Sequence, residues 1–113
     1  MQLIDRNISV EELKIASQKM FDGLVKAVVD IERKIMVVDA DMHADEEEFL
    51  LEKGSQQNDL WGINIYPALD GEQRIEFDSM INIRPAWGNR SRGVDDPAIR
   101  EKIIQIVNNF ITI

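Results

Sequence analysis

Between residues 84 and 93 the chain reads RPAWGNRSRG: three arginines, an indole and two glycines without an acid, in a protein whose formal net charge is −8. Guanidinium forks present paired donors to carboxylates and phosphates, and glycine-rich backbone can curl its amides into an anion-binding nest. Arg84, Trp87, Asn89, Arg90, Ser91 and Arg92 are therefore the candidate ligand-binding residues. Trp87 could stack on a base or an aromatic ring, and the helix start that follows adds amides that favour anions. The competing reading is that these arginines pair with Asp95, Asp96 and the acidic stretch Asp41 to Glu52, closing a surface loop with ion pairs of small energetic value.

A second constellation is DADMHADEE, in which Asp39, Asp41 and His43 alternate. On an extended strand the three would project from one face, where two carboxylates and an imidazole could hold a divalent metal. With a phosphate held by the arginines, that set would suit a metal-dependent hydrolase or nuclease. The competing reading is a set of solvated acids at a strand-to-helix junction.

Several chemistries lack their residues. There is no cysteine, so disulfides, thiolate metal sites and cysteine nucleophiles are out. A single histidine and no Gly-x-Ser-x-Gly elbow leave a serine triad unsupported. No phosphate-binding P-loop or dinucleotide fingerprint is present, so no cofactor is expected beyond the divalent metal above. A pI near 4.6 makes general nucleic-acid binding unfavourable, and an RNA-interacting element of toxin–antitoxin type rests only on size and the arginine loop. The 44% apolar and 30% charged composition fits a single globular domain over residues 1–113, with no membrane segment. The N-terminus MQLIDRNISVEELK lacks a basic-then-apolar leader, which makes the cytoplasm the expectation.

Behind these sites stand the elements that must position them. Ser9 and Glu12 form a capping-box pattern ahead of a helix from about Val10 to Met20, stopped at Gly23. Leu24 to Ile31 and Ile35 to Met42 read as a hairpin with Val25, Ala27, Val29 and Ile31 facing the core. ADEEEFLLEK is a second helix anchored by Phe49 and Leu50. Leu60 to Tyr66 and Arg74 to Arg84 are strands, the second with a clean period of two. A two-residue turn at Asp70-Gly71 would put their apolar sets on opposite faces, so an irregular connection is expected, with Trp61, Ile63 and Ile65 sharing the core face. Asp96-Pro97 opens a third, amphipathic helix through Ile99, Ile103, Ile106, Val107 and Phe110. The order α-β-β-α-β-β-α implies an α+β fold: a mainly antiparallel four-stranded sheet with helices on one face. The opposite face would then show Asn64, Tyr66, Glu76, Asp78, Asn82 and Arg84 to water or to a second copy in a homodimer.

The segments FDGLVKAVVDIERKIM, MHADEEEFLLEKGSQQNDLWGINIYP and FDSMINIRPAWGNRSRGVDDPAIREKIIQIVN together resemble a family of short prokaryotic proteins classed as a domain of unknown function. That resemblance implies no activity, cofactor or partner. On the residues alone, the expected function is a binding or interaction module whose arginine loop recognises an anionic small molecule or an acidic protein surface.

Overall fold

Ser9 Oγ accepts the Glu12 amide at 3.1 Å and starts the first helix, one half of the reciprocal cap that the sequence suggested. The computed structural model describes residues 1–18 and 23–112. Its elements are β1 (Gln2–Ile4), β2 (Ile8–Ser9), α1 (Val10–Ser17), β3 (Val25–Asp30), β4 (Ile35–Val38), α2 (His43–Glu52), β5 (Leu60–Ile65), β6 (Ile75–Glu76), α3 (Pro97–Phe110) and β7 (Ile111–Thr112). The expected end of α1 at Met20 lies outside the described residues.

The fold is α+β, with five strands in the order β1-β4-β3-β5-β6 and every neighbouring pair antiparallel. The strand beyond the expected four is β1, three residues long and too short for its alternation to register in the sequence. β2 and β7 form a separate two-residue parallel pair, with Ile8 opposite Ile111.

At the β3–β4 turn, buried Asp30 holds the chain: Oδ1 accepts the amides of Glu32 and Arg33, each at 3.0 Å, and Oδ2 accepts the Ser55 hydroxyl at 2.6 Å. Arg33 Nη1 donates to the Lys53 carbonyl at 2.8 Å, tying the end of α2 to the same corner.

One sheet face carries Val25, Ala27, Val29, Met36, Val38, Trp61, Ile63 and Ile65 and packs on Leu13 of α1 and Ile103, Ile106 and Val107 of α3. The other carries Val28, Val37 and Leu60 and packs on Leu50 of α2. Helices therefore cover both faces, where the sequence reading had placed them all on one. The reason lies in the apolar residues on the second face: Val28 of β3, Ile35 and Val37 of β4 and Leu60 of β5 need cover of their own, which α2 supplies.

Ile65 stands opposite Ile75, and Asn64 opposite Glu76, across the irregular connection 66–74. Trp61, Ile63 and Ile65 thus share a face as the register argument required. The strand expected to run on to Arg84 instead ends at Glu76, and the chain enters a 3₁₀ turn at Met80–Asn82. Side chains take over the work of the missing strand. Asn82 accepts the Gly62 amide at 2.8 Å and donates to the Gly62 carbonyl at 2.9 Å and the Arg92 carbonyl at 2.9 Å. Arg84 Nη2 donates to the Leu60 carbonyl one step along the same edge. A carboxamide has both a donor and an acceptor, so it can replace a strand neighbour where backbone does not follow.

Consequently the polar face expected to meet water or a second copy is largely consumed within the chain. Asn64, Asn82 and Arg84 are buried. Asn64 Nδ2 and Tyr66 Oη both donate to Glu76 Oε1, at 2.8 and 3.2 Å. Among the described residues no helix is long and apolar enough to cross a membrane.

Candidate functional site

Arg84 enters from the end of the 3₁₀ segment and lies only 8% exposed. Its guanidinium carbon sits 4.7 Å from the ring centre of Trp61 and 5.6 Å from that of Trp87, so two indoles flank one cation. Nε donates to the Ile81 carbonyl at 3.1 Å, Nη2 donates to Leu60, and Nη1 has no hydrogen-bond partner. Glu47 of α2 approaches Nη2 at 3.9 Å, close enough for Coulomb attraction but too far for a hydrogen bond. Burial raises the Glu47 carboxyl above its ordinary range, against the opposing pull of Arg84. Burial likewise lowers Arg84.

Beside this pair opens a cavity of about 380 Å³ lined by Asn58, Trp61, Arg84, Trp87, Gly88, Asn89, Asp96 and Ile99. Trp61 is 5% exposed and its indole Nε1 has no partner. Two of the lining residues thus carry a buried donor with nothing to donate to, Trp61 Nε1 and Arg84 Nη1. Trp87, 57% exposed, forms the outer side. It is held there by a tight turn: Pro85–Trp87 is 3₁₀, and Gly88 closes it at φ +87°, a conformation that favours glycine.

The remaining loop residues have other duties. Asn89 Nδ2 donates to the carbonyls of Asn82, Gly93 and Ser91, at 2.8, 2.9 and 3.2 Å, while its Oδ1 accepts the Asp95 amide at 2.8 Å. Ser91 Oγ donates to Asp95 at 2.5 Å, and the Arg90 amide donates to the same carboxylate at 3.0 Å. These contacts hold Asp95 below the usual carboxylate range, the Ser91 hydroxyl contributing most. Arg92 Nε donates to Asp78 at 2.6 Å. Arg90 is exposed and its guanidinium makes no ion pair among the described residues. The pairing expected between arginine side chains and Asp95 or Asp96 therefore does not form, whereas Arg84 does reach the acidic helix. The helix start also differs from expectation. Asp96 Oδ1 accepts the Ala98 amide at 2.8 Å, and the Asp96 carbonyl accepts those of Ile99 and Arg100 at 3.1 Å each, so α3's first amides are already used.

The three residues read as a metal set are not brought onto one face. β4 ends at Val38, and Asp39 turns away at φ +67°. Asp39 and Asp41 line one cavity, while His43 opens α2, lines a different one and has its Nε2 2.7 Å from the Ile63 carbonyl. Among the described residues no group of three or more His, Asp or Glu side chains is placed to hold a metal ion.

Set against known families, residues 2–110 match one described as protein of unknown function (DUF5674). The chain belongs to that family. Neither a curated protein nor a solved structure matches it.

In this DUF5674 chain the sequence reading missed Trp61 and Glu47 as parts of the site. Trp61 does fill the core, but it also lines the cavity. Glu47 was one acid in a run of them, and only the packing of α2 on the sheet singles it out. No spacing signal marks Glu47; a tryptophan just before Gly62 in the strand LWGINI was the available hint for Trp61.

Proposed function

We propose that this protein binds a small planar anion in the cavity between Trp61, Arg84 and Trp87. The observation that carries the reading is the pair of buried, unpartnered donors, Arg84 Nη1 and Trp61 Nε1, on two residues that line one cavity. Leaving such groups unpaired costs about 1–3 kcal/mol each, a cost that a ligand oxygen would relieve. The indole faces favour a flat ligand. Burial of Arg84 favours a small molecule over an acidic protein surface, because a concave recess admits a single ring more readily than a protein face. Asp96 in the wall favours a ligand with a donor of its own beside the acid group.

Isothermal titration with benzoate and with adenosine monophosphate tests this. At least one binds saturably to the unaltered protein, and both Trp87→Ala and Arg84→Lys weaken that binding by about tenfold or more, the lysine because it loses the planar fork. Arg90→Ala and Arg92→Ala leave it within about twofold, since exposed charges contribute little. Absence of binding by both probes, or binding that needs Arg90 and Arg92 but not Trp87, overturns the proposal.

A further inference from the structure

On the α2 side of the sheet a second cavity, about 200 Å³, lies between the first turn of α2 and the segment around Asp78 to Ile81. Lys26 and Asn64, opposite one another on β3 and β5, line it together with His43 and Ala44 at the start of α2. Four features point to a ligand. No side chain caps α2; its Asp45 amide is taken by the Met42 carbonyl at 3.2 Å, and Met42, His43 and Ala44, at the positive end of the ten-residue helix, line this cavity. The Lys26 ammonium has no ion-pair partner among the described residues, whereas the other nearby cation, Arg92, is engaged by Asp78. His43 is one-tenth exposed and its Nε2 lies 2.7 Å from a carbonyl that can only accept, so the proton sits on Nε2 and Nδ1 keeps its lone pair. Asn64 is 6% exposed; its Nδ2 donates to Glu76 and to the Asp78 carbonyl at 3.4 Å, which fixes the amide's orientation and leaves Oδ1 buried beside the His43 imidazole with no well-formed hydrogen bond.

The wall therefore offers positive charge at one part, from Lys26 and the helix end, and at another a buried acceptor, Asn64 Oδ1, beside the His43 imidazole. A bare oxyanion satisfies only the first. We propose that this cavity binds a small carboxylate carrying an amino or hydroxyl donor beside its acid group. Its volume equals that of roughly six or seven waters of bulk liquid, enough for a three-carbon acid. The carboxylate lies toward Lys26 and the first turn of α2, and the adjacent donor toward Asn64 Oδ1. The site is separate from the Arg84 cavity and shares no lining residue with it.

His43 is the chain's single histidine, so its imidazole gives one isolated set of NMR signals. Titrations with L-lactate and L-serine, with propionate as the control that lacks a donor, read the site directly. The expected result is a saturable shift of the His43 ring signals with lactate or serine, an affinity at least about tenfold lower for propionate, and loss of the response in Lys26→Met. Trp87→Ala retains the full response, which separates this site from the other. A response equal for propionate, one that survives Lys26→Met or disappears in Trp87→Ala, or no saturable shift with either donor-bearing acid overturns the proposal. If Lys26→Met does not fold, the propionate comparison on the unaltered chain decides.

Discussion

Arg84 sits at a residue-scale conflict that makes its chemistry readable. A cation taken from water needs a counter-charge and filled hydrogen bonds, and here the counter-charge, Glu47, stands 3.9 Å away while Nη1 goes unused. An anion entering the cavity supplies the missing acceptor but also adds negative charge near Glu47, whose carboxyl burial already holds high. Binding must then raise Glu47 further, and the complex takes up a proton over the interval between the two values. By linkage, affinity for the bound anion rises as pH falls through the Glu47 transition. Titrations of the unaltered protein across that range should show this rise, and Glu47→Gln should flatten it. A pH-independent affinity in the unaltered protein would remove Glu47 from the mechanism.

At the scale of elements, the outer edge of β5 decides how the arginine segment is presented. A Cβ on Gly62 would lie 2.6 Å from both Cβ and Oγ of Ser79, closer than real contacts allow. The absence of that side chain lets residues 79–82 press onto the strand, where the Asn82 amide completes its hydrogen bonding. Gly62→Ala should accordingly destabilise the protein by about 1–3 kcal/mol, and Ser79→Gly in the same chain should recover part of the loss despite removing the hydroxyl that accepts the Ile81 amide. Urea unfolding of the single and double variants measures this coupling; strict additivity would mean that the two residues do not compete for the space. This edge also marks where the sequence ceased to be legible. Ser9, Asp96-Pro97 and the Val/Ile-rich hairpin announce their elements through local rules, and those elements form. The period of two from Arg74 to Arg84 is equally clean, but its polar residues bond to β5 through their side chains, and alternation cannot distinguish a strand from a segment pinned in that way. Likewise the arginine loop was recognisable as a cluster, whereas its division into one buried cation, one paired cation and one exposed cation depends on which strand edge each residue reaches. Lys26 and Asn64 form a cavity wall only because β3 and β5 pair in one register.

For the molecule as a whole, pH exposes a tension between its acidic composition and its core. Glu46 is fully buried on α2, and burial pushes its carboxyl up to about 9, only partly offset by the Ala40 amide that donates to Oε2 at 3.3 Å. The folded state therefore keeps Glu46 protonated where the unfolded chain, near 4.5, has released the proton. Between those values the native state binds more protons than the unfolded state, so the Glu46 contribution is fully present below about 4.5 and is lost as pH rises through about 9. His43 acts on the other side: burial lowers its imidazole from 6.5, so its contribution is present above that value and lost as pH falls through the folded one. Well above pH 6.5 the His43 effect is spent and Glu46 alone sets the trend, with a slope approaching about 1.4 kcal/mol of lost stability per pH unit. General repulsion in a chain of net charge −8 acts in the same direction but is screened by salt, whereas a fully buried carboxyl is screened much less. Urea unfolding at pH 6.5, 7.5 and 8.5 in moderate salt should thus show stability falling with pH, and Glu46→Gln, which preserves shape and cannot ionise, should remove most of that fall. A decline that persists unchanged in Glu46→Gln but disappears in high salt would assign the pH response to the surface charge instead.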